Sequence, residues 1–184
     1  MEQTHEQPTV RSQPRFESTL TLDDLAQMRS GELAALYDTG KLPDSMAALD
    51  GALAGRMLAV RSLEARPVAR ALRRFAASPL FVWAGKSFHA TSERTGDGIN
   101  RVQAPGVLGR QKLFPFETRF AASALDGRDA IILDYDLSDN PPYIRRIHDE
   151  VREVSAGIYL GPAMWKGQGR KLTVLWFGLD TGKR

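Results

Sequence analysis

DAIILDYDLSDNPPYIRRIHDEVREVSAGIYLG, residues 129–161, sets two apolar runs, AIIL and GIYLG, around a segment of unusual polarity. In DYDLSDNPPYIRRIHDEVREV, residues 134–154, nine acidic or basic side chains and one histidine fall within twenty-one positions. The flanks read as buried strand. Period-2 spacing puts Ile131, Leu133, Tyr135 and Leu137 on one face and Ile132, Asp134 and Asp136 on the other. Beyond the Asn140-Pro141-Pro142 corner, Ile147, Asp149, Val151 and Glu153 oppose His148, Glu150, Arg152 and Val154. Apolar residues occupy both faces where the first strand begins, as in a strand covered on each side.

The charges of this segment have two readings. On a solvated hairpin, Asp134 or Asp136 meets Arg145, Arg146 or Arg152 across a ladder about 5 Å wide. Each such pair contributes about 0–1 kcal/mol. If the carboxylates instead line an enclosed space, they must be paired or protonated. A carboxylate raised in pKa beside Tyr135, His148 or Tyr159 is then a candidate general acid or base.

Outward from this segment the same texture continues. Aromatic and β-branched residues alternate with polar ones from Leu80 onward, and turn signals recur every eight to twelve residues. This predicts strands near 80–91, 98–103, 112–124, 129–137, 145–154, 157–165 and 171–179, with hairpins at Asp126-Gly127, Ala156-Gly157 and Gly167-Gln168-Gly169. LDGALAGRMLAVR, 49–61, adds a possible eighth strand. Its Gly51 and Gly55 suit either a close helix contact or a strand bending around a tight barrel, and alternation favours the strand. Upstream, Thr21 and the Asp23-Asp24 pair start a helical region over about 21–38, and Pro67 opens a helix over about 67–77. Successive strands without intervening helices predict a mainly β fold: an antiparallel up-and-down barrel of about seven or eight strands, with N-terminal helices capping or flanking it.

The chain of 184 residues is long enough for one domain at 19–184 after a leader, 1–18, too polar to pack. Cysteine is absent, which excludes thiolate catalysis, disulfides and cysteine-ligated metal. His5, His89 and His148 form no paired-ligand pattern, so neither a metal nor a cofactor is expected. No apolar run reaches eighteen residues and no signal peptide opens the chain, so a cytoplasmic protein is expected. The formal charge of +3 is spread along the sequence. Arg70, Arg73 and Arg74 have no aromatic platform beside them, so nucleic acid is not an expected partner. Oligomeric state is not legible.

Two shorter stretches hold candidate binding groups. In VWAGKSF, 82–88, regular pleating puts Trp83, Gly85 and Ser87 on one face and Ala84, Lys86 and Phe88 on the other. Lys86 either reaches solvent or, sharing its side with Phe88, points inward to an acidic partner or an anionic ligand. In GINRV, 98–102, Asn100 is either a turn residue or a strand residue whose amide is used.

These stretches, WxGKxF, GxNRV and LDYD…NP…RIxDExREVxxGxYLG, resemble a group of uncharacterised, mainly bacterial, lipocalin-like (calycin-type) small β-barrels, with similarity running from about Pro43 to Leu179. The resemblance implies the fold and no catalytic role. True lipocalins are usually exported and often disulfide-linked. The absence here of a signal peptide and of cysteine leaves an intracellular ligand carrier or a barrel enzyme. The first expectation is a barrel binding a hydrophobic small molecule with a polar or anionic head, through Trp83, Lys86, Asn100, Asp134, Arg146, Arg152 and Tyr159. The alternative is a cofactor-free isomerase, cyclase, lyase or decarboxylase with Asp149, Glu150 and Tyr135 as acid/base groups.

Overall fold

Thr21 caps the first helix, α1 (Leu22–Gln27): its hydroxyl accepts from Asp24 N–H, and the Asp24 carboxylate accepts from Thr21 N–H in return. The predicted helical span is two helices, because the chain turns extended at Met28 and Glu32 then accepts from Arg29 N–H to start α2 (Ser30–Thr39). A computed structural model of the chain describes residues 19–60, 82–103, 109–167, 169 and 171–183. The expected leader over 1–18 and the expected helix over 67–77 lie outside the described residues.

Eight antiparallel strands follow: β1 (Gly51–Val60), β2 (Val82–Ala90), β3 (Thr95–Gln103), β4 (Arg110–Ala122), β5 (Asp129–Asp134), β6 (Ile147–Ser155), β7 (Ile158–Lys166) and β8 (Lys171–Asp180). Each pairs with its sequence neighbour, and β8 returns to β1 to close the barrel. The predicted up-and-down barrel is therefore complete, with no free edge in the sheet. β5 ends at Asp134 rather than residue 137, because the chain leaves the ladder at Tyr135 while that side chain continues inward.

The barrel has two apolar layers. Inside, Leu53, Phe88, Phe116, Ile131, Leu133, Tyr135, Val151, Tyr159, Phe177 and Leu179 form one core. A 3-10 turn (Met46–Leu49) adds Met46 and Leu49 to it. Met46 N–H donates to Glu93 O, which fixes this plug at the end carrying the β2–β3 turn. The β5–β6 connection contributes buried Ile144, and Asn140 anchors it by donating from Nδ2 to Pro115 O and Tyr135 O. Outside, Leu25, Leu33 and Tyr37 of the helices lie on Ile158, Leu160 and Trp176. Both helices thus flank the wall, and the 3-10 turn does the capping.

Bulges break the pleat away from this plug, toward the end where β2 begins. Between Trp83 and Gly85 the β2–β3 register shifts, and Gly85 takes φ +122°. A Cβ there would overlap Leu53 O and Gly55 N, so only glycine permits this approach of β1 to β2. A second shift lies between Ile99 and Asn100, where Phe114 on β4 is the extra residue and adopts φ 60°, an unfavourable conformation for a bulky side chain.

Candidate functional site

Lys86 sits inside the barrel rather than in solvent, its side chain 4% exposed. Strict alternation would have put Trp83 on the opposite face from Lys86. The bulge at Ala84 resets the pleat, so both reach the same amide: Trp83 Nε1–H donates to Asn100 Oδ1 at 3.1 Å and Lys86 Nζ at 2.9 Å. Arg101, next along β3, donates from Nη2 to Leu53 O and Ala84 O and so staples the backbone around that bulge.

Three oxygens surround the Lys86 ammonium: Asn100 Oδ1, the Tyr135 hydroxyl at 2.5 Å and Asp149 Oδ2 at 3.0 Å. Tyr135 O–H donates in turn to Asp149 Oδ2 at 2.9 Å. Asn100 Nδ2 donates to Phe114 O at 3.2 Å and to the Tyr135 oxygen at 3.3 Å. The Phe114 hydrogen bond explains how the strained φ of that residue is held. Around the polar centre, the rings of Trp83, Phe116, Tyr135 and Phe177 have centroids 5.1–5.4 Å from Lys86 Nζ. They interlock edge-to-face, Trp83 on Phe177 and Phe116 on Tyr135.

Burial pulls the Lys86 ammonium below the ordinary lysine value, and the Asp149 carboxylate opposes it. Burial likewise drives the Tyr135 phenol well above its usual value, and the charge on Asp149 adds to this. Tyr135 therefore stays protonated and a hydrogen-bond donor at neutral pH. Asp149 Oδ1, in a side chain 5% exposed, meets no hydrogen-bond donor among the described residues. The cluster is thus a neutralised ion pair, a phenol held as donor and one idle carboxylate lone-pair set. It can bind a polar group or accept a proton from one.

Of the residues singled out in the sequence, Trp83, Lys86, Asn100, Tyr135 and Asp149 converge here. Tyr159 is buried in the same interior core, and burial raises its phenol above the usual range. The others lie elsewhere. Asp134 faces outward, pairing with Lys166 at 3.0 Å and Arg119 at 3.5 Å, not with Arg145, Arg146 or Arg152. Arg146 is exposed, its guanidinium over the Trp165 ring and donating to Lys166 O. Asp136 pairs with Arg145, as a surface hairpin would have it.

Glu150 and Arg152 are buried, but on the outer face of β6 beneath α2. Glu150 accepts from Ser123 Oγ at 2.5 Å, Ala124 N–H at 3.0 Å and Tyr37 O–H at 3.1 Å, with His148 Nε2 at 3.4 Å. Burial pushes its carboxyl up, yet those hydrogen bonds outweigh it and hold the group below the usual glutamate value. Arg152 forks onto Asp126 at 2.7 and 2.8 Å and stacks over Tyr37, 4.3 Å from the ring centroid. These charges fasten α2 to the barrel wall.

Sequence reasoning missed Phe116, Phe177 and Phe114, whose interior role follows from the parity of β4 and β8 only once the bulges are placed. It also missed Tyr37, Ser123 and Asp126, which no local pattern ties to β6. Among the described residues no group of three or more His, Asp or Glu side chains is arranged to hold a metal ion. No helix among them is long and apolar enough to cross a membrane.

No family model matches the chain. No curated protein matches it either. A solved structure described as "Crystal structure of protein from Thermomonospora curvata" is similar at 18% identity, covering 85% of this chain and 97% of that one, with a TM-score of 0.49.

Proposed function

We propose that this chain is a ligand-binding barrel that takes one hydrophobic small molecule, reading its polar head with Lys86, Asn100, Tyr135 and Asp149 and holding its apolar body against the interior rings. The observation that carries this reading is the buried Lys86–Asp149 ion pair. A barrel of eight strands has just enough interior either to be filled by side chains or to hold one small ligand. If filling were the whole purpose, apolar residues of the same volume would serve equally well or better, since a buried ion pair is a poor source of stability. A desolvated, hydrogen-bonded charge cluster walled by four aromatic rings is what orienting a ligand requires. The half-buried Trp83, Phe114, Ile147, Ala163 and Leu175 pack on the same core and extend its apolar wall. The resemblance to lipocalin-like barrels supports the same reading.

Native mass spectrometry of the purified protein, followed by extraction of what leaves it, tests the proposal. A copurifying apolar molecule is expected in the wild type and lost in Lys86→Met/Asp149→Leu. A wild type that carries nothing and binds no apolar reporter dye overturns it.

A second reading has its own support in the idle Asp149 Oδ1 beside a phenol held protonated. Together these form a base and an acid in a dry site, the elements of a cofactor-free isomerase, cyclase, lyase or decarboxylase. Turnover of an apolar substrate that is abolished by Asp149→Asn and Tyr135→Phe, with binding retained, would select this reading over simple carriage.

A further inference from the structure

Resting on the binding proposal, we infer that the head group read by this site is a neutral hydroxyl, donated to Asp149 Oδ1, and not the carboxylate that a buried lysine would suggest.

Every donor proton of the cluster already has an acceptor within it. Lys86 has three ammonium protons and three oxygen neighbours within 3.0 Å, so none is left for an anion. The Trp83 indole proton is spent on Asn100 Oδ1. Both Nδ2 protons of Asn100 have acceptors, Phe114 O and the Tyr135 oxygen. The Tyr135 proton goes to Asp149 Oδ2. All the donors are consumed internally, and the group left over is an acceptor, Asp149 Oδ1, on a side chain 5% exposed.

A carboxylate entering here would bring acceptors to a site short of donors, and would set a negative charge beside Asp149. It would bind only by breaking one of the Lys86 contacts. An ammonium head meets the opposite objection. Asp149 already faces the Lys86 cation at 3.0 Å, and a second cation would be repelled by the first. A hydroxyl supplies the missing proton without adding charge, and its apolar body can lie against the surrounding rings. The ligand class is therefore an apolar alcohol, phenol or enol.

A matched head-group series tests this by displacement of the neutral dye Nile red from the wild-type protein, using decanol, decanoate and decylamine. Decanol is expected to displace the dye at a concentration about tenfold or more below that needed for decanoate, the factor that one unmade buried hydrogen bond is worth. In Asp149→Asn, where the amide can turn a donor toward the ligand, that preference is expected to shrink or invert. Decanoate or decylamine binding more tightly than decanol, or all three binding alike, overturns the inference while leaving the binding proposal standing. Failure of Nile red and all three compounds to bind removes the binding proposal, and this inference with it. The wild-type series decides the matter even if Asp149→Asn does not fold.

Discussion

Asp149 and Glu150 are consecutive on β6 and share no partner among the described residues: Asp149 Oδ2 lies 3.0 Å from Lys86 Nζ inside the barrel, while Glu150 Oε1 lies 2.5 Å from Ser123 Oγ outside it, under α2. The pleat divides one acidic dipeptide between two jobs. Glu150→Gln therefore tests the division. It keeps the shape of the side chain but forfeits charge-assisted acceptance from Ser123, Ala124 and Tyr37. A stability loss of about 1–3 kcal/mol is expected in urea titration, with dye affinity in the barrel unchanged. A fall in affinity equal to that of Asp149→Asn would show that the two carboxylates act as one site.

The interior ion pair should behave as a coupled unit. Lys86→Met leaves the Asp149 carboxylate buried with Tyr135 as its one donor among the described residues, at an expected cost of about 3–5 kcal/mol. Lys86→Met/Asp149→Leu removes both charges and replaces them with apolar volume, so the double variant should be more stable than Lys86→Met alone. Denaturant midpoints for the wild type, both singles and the double give the coupling energy directly. Additive losses would mean that the charges do not feel each other.

How far the sequence led depends on the range of the interaction involved. The barrel was legible because period 2 is a local property, and three of its connections, at Asp126-Gly127, Ala156-Gly157 and Gly167-Gln168-Gly169, carry turn signals of their own. Lys86 and Phe88 share a face as spacing requires. Trp83 joins them only because Gly85 and the bulge at Ala84 reset the parity, and nothing in VWAGKSF alone says that Gly55 on β1 needs that closeness. In RIHDEVREV the alternation separated Asp149 from Glu150 correctly, yet it could not say which set faced inward, because α2 buries the outer set as thoroughly as the barrel buries the inner one. Density of charge therefore misled: Glu150 and Arg152 grouped with Asp149 in sequence, and the third dimension assigned them to α2.

Acid should loosen the α2 layer. Asp126 is held well below the usual aspartate value, chiefly by the Arg152 hydrogen bonds and then by Arg128, with burial working against them. A carboxylate whose folded pKa is depressed contributes stability that is fully present above its unfolded value, about 3.9. That contribution is lost as pH falls through the folded one. Glu150, also held low, adds to the same limb. Unfolding free energy is thus expected to drop below about pH 4 in the wild type, and to drop less steeply in Asp126→Asn, which starts lower because Arg152 stays buried without its carboxylate. Urea titrations from pH 7 down to pH 2 read both slopes. Parallel acid limbs would remove Asp126 from the account.

Two glycines with nearly the same backbone separate conformational strain from close approach. Gly51 has φ +116° and Gly85 φ +122°, so an alanine pays a similar strain at either. That strain is of order 1–3 kcal/mol. At Gly51 an added Cβ meets nothing within 4 Å, whereas at Gly85 it overlaps Leu53 O and Gly55 N and would push β1 off β2. Gly85→Ala should therefore cost clearly more than Gly51→Ala. The excess should also appear at Trp83, whose ring lies where a Cβ on Gly55 would go. With Trp165 and Trp176 replaced by Phe, Trp83 is the one remaining indole, since the chain has three tryptophans. Its emission should shift to the red in Gly85→Ala and hold its position in Gly51→Ala. Equal stability losses with unmoved Trp83 emission would mean that β1 and β2 do not need the contact, and that the bulge which brings Trp83 and Lys86 to one amide is set by some other part of the fold.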